Sequence, residues 1–194
     1  MTDTPSLTFL AGSAREDSVH KKIARVAAAR ATAAGASATF IDLRDYPMPL
    51  YDGDLEAREG LPAAALELKA LFRASDGFFI ASPEYNSSFS PLLKNTIDWV
   101  SRRATPDEPP RVAYQGKVAA IAAGSGGGLG GMRGLVALRM LLGNIGVHVV
   151  PQQLAIAGAP AVFDDHGQLT DANQMQALEG VVGQLVSTAS ALKA

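Results

Sequence analysis

The sequence predicts an α/β fold, a three-layer sandwich in which a five-stranded parallel sheet lies between helices. Three observations carry this. Short apolar runs alternate with longer segments of helical periodicity along the 194 residues, and no internal repeat is present. The opening strand, helix and strand fit into about 40 residues, the unit from which parallel sheets are assembled. Three loops rich in glycine or polar residues follow three of the strands directly, at the end where open parallel sheets bind ligands.

In chain order, residues 6–11 (SLTFLA) are a strand that stops at Gly12. Residues 17–34 favour a helix, with Val19, Ile23, Val26 and Ala27 spaced along one face. A second strand spans 36–43 around Phe40 and Ile41, and Pro47 and Pro49 end regular structure after it. Residues 47–62, with prolines and acids, form a connector without an element of its own. A helix over 63–73 leads to the third strand at 76–82, and Pro91 suits the first turn of the helix over 91–102. The fourth strand covers 118–123. A glycine loop at 124–131 then feeds a helix through Leu135, Leu138, Leu141 and Leu142. Residues 147–150 are the fifth strand and 172–191 the last helix. Five strands thus alternate with five helices in a single domain, 1–194, because the polar stretch at 104–111 is too short and too early to divide the chain.

Composition excludes several function classes. A net charge of -2 with no basic run gives nucleic acid nothing to bind. Cysteine is absent, so there is neither a disulfide framework nor a thiolate metal site, and His20, His148 and His166 are scattered along the chain. No G-x-S-x-G elbow is present. Met1-Thr2-Asp3-Thr4-Pro5 lacks the basic segment of a signal peptide, and no apolar run has transmembrane length, so a cytoplasmic location without a membrane partner is expected.

The three loops are where chemistry would sit. In the first, Gly12 turns the chain, Ser13 and Ser18 offer hydroxyls, and Arg15 supplies a fork of donors suited to phosphate. The helix that follows adds free amides and the positive end of its dipole. Neither a Walker loop nor a dinucleotide fingerprint is present, since Ala14 and Asp17 stand where the latter wants glycine. The plainer reading, in which Ser18 caps the helix and Arg15 is solvated, stays open. The second loop offers Pro83, Glu84, Tyr85 and Asn86: Tyr85 to shield a flat ligand, Asn86 to hold a polar edge, or else Asn86 in a turn and Glu84 at the surface. Trp99, at the end of the next helix, reads as packing. The third loop, Ser125-Gly126-Gly127-Gly128-Leu129-Gly130-Gly131, holds five glycines in seven positions. Such a loop loses much backbone entropy on ordering, which suits backbone that a ligand approaches closely, or a mobile lid. Arg133 could add a donor there or at a neighbouring subunit. Phe163-Asp164-Asp165-His166-Gly167 reads as an exposed turn.

Taken together, Gly12-Ser13-x-Arg15-x-x-Ser18, Pro83-Glu84-Tyr85-Asn86 and Leu93-Lys94-Asn95-x-x-Asp98-Trp99 resemble the NADPH-dependent FMN reductase family, flavodoxin-like enzymes that include quinone, azo-dye and chromate reductases. The resemblance runs from about residue 6 to 150. It implies sheet order 2-1-3-4-5 and non-covalent FMN. Ser13, Arg15 and Ser18 would take the phosphate. Pro83, Glu84, Tyr85 and Asn86 would lie along the ribityl chain and ring, with Ser125, Gly126 and Gly127 on the other side. His20 stands where the family often has asparagine; it would still donate to phosphate, with a charge that varies near neutral pH. Ser90-Pro91 replaces a common proline-glycine and should alter the entry of the helix more than the flavin contacts.

The implied activity is ping-pong hydride transfer, from NADPH or NADH to the flavin and then to a quinone-like small acceptor in the same space, with no acid or base residue required. Arg102, Arg103 and Arg111 would attract a nicotinamide 2′-phosphate if they lay near the mouth, or else each is a solvated charge at a helix end. Family members are usually dimers or tetramers, and here residues 47–62 and 92–99 are the expected boundary. The alternatives are a non-enzymatic FMN electron carrier and a cofactor-free binding or regulatory module of the same fold.

Overall fold

The computed structural model describes residues 4–193. Strand β1 (Ser6–Ala11) lies between β2 (Ser37–Ile41) and β3 (Gly77–Ala81), followed by β4 (Val118–Gly124) and β5 (His148–Val149). The order is β2-β1-β3-β4-β5 and every pairing is parallel, as expected from the sequence. Central strands covered on both faces need no polar alternation. Accordingly β3 and β4 are buried at every residue, whereas edge strand β2 alternates exposed and half-buried positions before its buried last residue, Ile41.

Two cores result, one on each face of the sheet. Leu7 and Phe9 point to the first, where α1 (Val19–Ala33) packs through Ile23 and Ala27 and α6 (Ala172–Lys193) through Leu178, Val182 and Leu185. Leu10, Phe78 and Ile80 point to the second, covered by α3 (Ala63–Ala74), α4 (Pro91–Ser101) and α5 (Met132–Asn144) through Leu68, Leu93 and Leu138. Trp99 is fully buried. Its indole N–H donates to the Pro49 carbonyl at 2.8 Å, and its ring meets Tyr51 edge to face.

Two elements depart from expectation. The 47–62 connector contains a further helix, α2 (Gly53–Glu59). The Asp52 carboxylate caps it by accepting from the Asp54 and Leu55 amides, and Gly60 ends it at φ 75°. The expected fifth strand is split: after His148–Val149 the chain leaves the sheet at Pro151 and returns as β6 (Leu154–Ile156), parallel to the far end of β4. Proline offers no amide to a ladder. The Arg139 guanidinium occupies the gap, donating to the Val149 and Pro151 carbonyls and to Gln153.

Candidate functional site

The three loops meet at the carboxyl ends of β1, β3 and β4, around one cleft. Ser13, Arg15, Ser18 and His20 line it from the first loop and the start of α1, Pro83 and Tyr85 from the second loop, and Gly124, Ser125 and Gly126 from the third. A fourth segment, missed in the sequence, completes the wall: Ala159 and Pro160, in a 3₁₀ turn after β6. Its only signal was a proline in a small-residue run, which many loops share.

Gly12 positions the first loop by close approach. A Cβ there would lie 2.8 Å from Ser90 Oγ and 3.1 Å from Leu93 Cβ. Its amide donates to the Ala81 carbonyl at 2.8 Å, and its own carbonyl accepts the Ser90 hydroxyl at 2.6 Å. Ser90 is also the N-cap of α4, accepting the Leu93 amide at 3.2 Å, with Pro91 in the first turn. The Ser90-Pro91 pair therefore does more than set helix entry. It bolts the first loop to α4.

Ser18 occupies the N-cap position of α1, yet its side chain makes no capping bond, and its buried hydroxyl has no partner among the described residues. A hydroxyl left so costs about 1–3 kcal/mol. The first amides of α1 likewise have no acceptor further back in the helix. Ser13 Oγ accepts the Arg15 amide at 3.4 Å. Donors and a dipole thus converge on one spot, as an anion requires.

His20 behaves differently from expectation. Its Nε2 accepts the Gly124 amide at 3.2 Å, tying α1 to the end of β4. Burial is the main cause that lowers its pKa from 6.5 to about 4; the Gly124 backbone works against the shift and the Arg15 guanidinium with it. The ring is neutral throughout the neutral range, so its charge does not vary there.

The second loop is a two-residue hairpin. Tyr85 and Ser88 exchange both backbone hydrogen bonds around Asn86 and Ser87, which take φ 51° and 66°. Asparagine tolerates that left-handed backbone better than most residues. Tyr85, half exposed, stands at the cleft mouth. Glu84 turns away from the lining: its carboxylate accepts from Arg133 Nε at 3.0 Å and from the Gly134 amide at 3.1 Å, binding the second loop to the start of α5. Asn86 and Gly127 also lie outside the lining.

In the third loop Ser125 is anchored on both sides, its amide to the Ile156 carbonyl and its carbonyl to the Ala159 amide. Around a Cβ built at Gly126 or Gly128 there is no heavy atom within 4 Å, and at Gly127 only Ser125 Oγ, at 3.8 Å. Nothing among the described residues demands glycine at these three positions. Arg102 and Arg111 sit at the opposite rim: α4 runs from Pro91 beside the cleft back to the amino edge of the sheet, where Arg102 pairs with Glu56 and Arg111 donates to the Asn144 carbonyl. The cleft lies at the other end of α4 from Arg102. Asp164 organises the turn containing His166 by accepting the amides of His166 and Gln168.

Sheet order defines a flavodoxin-like domain with a cleft at the carboxyl ends of β1, β3 and β4. The profile of NADPH-dependent FMN reductases matches residues 5–161, and the chain belongs to that family. It is 37% identical over 148 residues to an NAD(P)H-dependent FMN reductase of Pseudomonas aeruginosa, covering 72% of this chain and 76% of that one. It is 37% identical over 142 residues to a quinone reductase of Escherichia coli, covering 73% and 71%. Among solved structures it resembles FerB, a flavoenzyme NAD(P)H:(acceptor) oxidoreductase of Paracoccus denitrificans, with a TM-score of 0.80 and 27% identity over 95% of this chain and 96% of that one. Among the described residues no helix is long and apolar enough to cross a membrane.

Proposed function

We propose that this chain, an FMN-dependent oxidoreductase by family, binds FMN in the cleft and passes reducing equivalents from NADPH or NADH to a quinone-like small acceptor. The observation that carries the reading is the partnerless buried hydroxyl of Ser18 at the N-terminus of α1, with Ser13, Arg15 and His20 beside it. A phosphate monoester would satisfy that hydroxyl and the free amides of the helix and would draw on the Arg15 charge. Pro83 and Tyr85 would border the ring, Glu84 would hold that loop in place through Arg133 and Gly134, and Ser125 and Gly126 would present backbone to it.

FMN held there would supply the hydride chemistry between nicotinamide and acceptor. The protein's part is to hold the phosphate, orient the ring and leave one face open beside Tyr85; it need move no proton. The reading includes a cytoplasmic single domain that assembles as a homodimer or homotetramer. Leu50 supports the assembly: it is 79% exposed on a segment pinned to α4, where Asn95 and Trp99 both donate to the Pro49 carbonyl and Asn95 accepts the Tyr51 amide. A rigid exposed leucine suits a subunit contact.

The test is titration of purified protein with FMN and riboflavin, followed by rapid mixing with each nicotinamide. Arg15→Ala should weaken FMN by about 1.5 to 3 kcal/mol and leave riboflavin nearly unchanged, because the lost partner is the phosphate. Equal loss for both ligands would place Arg15 elsewhere. Failure of both nicotinamides to bleach the flavin would favour an electron carrier, and failure to bind FMN a cofactor-free module.

A further inference from the structure

His20 stands between two of the three loops. Its Nε2 lone pair takes the amide of Gly124, the last residue of β4 and the threshold of the glycine loop, in a buried contact of 3.2 Å. A neutral imidazole that accepts at Nε2 carries its proton on Nδ1. That N–H makes no hydrogen bond among the described residues, and the ring lines the cleft next to Ser18. The fit around Gly124 is close on the same side: a Cβ there would lie 3.1 Å from Ile23 Cδ1, 3.2 Å from Ala159 Cβ and 3.3 Å from Val19 Cγ1. The end of β4 is therefore seated directly on the first turns of α1.

We propose that His20 is a positioning residue with two faces, donating Nδ1–H to the cofactor phosphate while Nε2 holds the Gly124 amide, so that a filled phosphate site fixes the start of the glycine loop. This rests on the FMN reading above and adds a link between its two ends. An asparagine at this position can serve the phosphate but is too short to hold Gly124 as well. The histidine makes one side chain do both. Arg15 is the charged group facing the ring; it opposes protonation of the imidazole and so keeps the Nε2 lone pair available.

Two substitutions separate the faces. An asparagine amide nitrogen occupies the place of Nδ1, and a glutamine carbonyl oxygen the place of Nε2. His20→Asn should therefore keep the preference for FMN over riboflavin to within about threefold. In the protein without flavin, however, hydrogen exchange over residues 124–131 should speed up about tenfold or more, because the Gly124 amide has lost its acceptor. His20→Gln should do the reverse, leaving that exchange near wild type while the preference for FMN falls about tenfold or more, with riboflavin unchanged. In wild-type protein FMN should slow exchange over 124–131 more than riboflavin does. Two variants that move the same readout together, or move neither, would overturn the role of His20 while FMN binding by the wild type stood. A wild type that binds riboflavin as tightly as FMN would overturn the phosphate reading itself.

Discussion

Acidification should destabilise this protein through His20, by an amount the structure sets. Burial is the main cause that pushes the pKa of this ring down from 6.5 in the unfolded chain to about 4 in the folded one. Between those values the unfolded chain binds a proton that the folded chain does not, and stability rises with pH where the unfolded state holds more protons. The contribution is therefore level above about pH 6.5, is lost progressively on acidification, and levels again below about pH 4. At about 1.4 kcal/mol per pH unit the full loss is about 3 kcal/mol, most of which has gone by pH ~4.5. Urea unfolding of flavin-free protein at about pH 7.5 and about pH 4.5, wild type beside His20→Gln, isolates this from the carboxylates, which titrate in both proteins. Glutamine keeps an acceptor for Gly124 but takes no proton, so wild type should lose about 2 to 3 kcal/mol more than the variant over that interval. Equal losses would mean that His20 titrates normally, and the account of a neutral buried ring would be wrong.

Three further outcomes follow from contacts described above or close to them. Gly126→Ala meets no neighbour within 4 Å, so unfolding free energy without flavin should change by less than about 0.5 kcal/mol while FMN affinity drops; unchanged affinity would remove ligand approach as the reason for that glycine. Lys69 is buried against Glu108, which accepts its ammonium and the Ala104 amide, so Lys69→Met leaves a buried carboxylate short of its partner. A loss of about 3 kcal/mol in urea unfolding is expected, and one under about 1 kcal/mol would mean that Arg73 or water suffices. Gly12→Ala should cost about 1 to 3 kcal/mol in thermal or urea unfolding, because its Cβ would press on Ser90 Oγ at 2.8 Å. Adding Ser90→Ala should recover part of that loss, since the crowding oxygen is gone, and strictly additive losses would contradict the contact.

The strands and the loops at their carboxyl ends were legible in the sequence because each depends on local pattern, whereas the strand order came from the family resemblance. Continuous apolar runs such as Gly77-Phe78-Phe79-Ile80-Ala81 report burial on both faces. The phosphate-loop residues and the second-loop motif, read together, pointed to one cleft. Helix α2 was also within reach, for Asp52 and Gly60 are ordinary cap signals, but prolines on either side of the segment masked them. What the chain could not disclose locally is where polar side chains spend their hydrogen bonds. Glu84 was a ligand candidate in sequence, yet its carboxylate accepts from Arg133 and Gly134, 49 and 50 residues on. Ser90, an oddity of helix entry in the sequence, holds Gly12 across 78 residues. His20 took its neutral state from burial and its role from Gly124, 104 residues away. Secondary structure follows from periodicity between near neighbours, whereas a proton or a hydrogen bond is settled by whichever groups the packed sheet brings within about 3 Å.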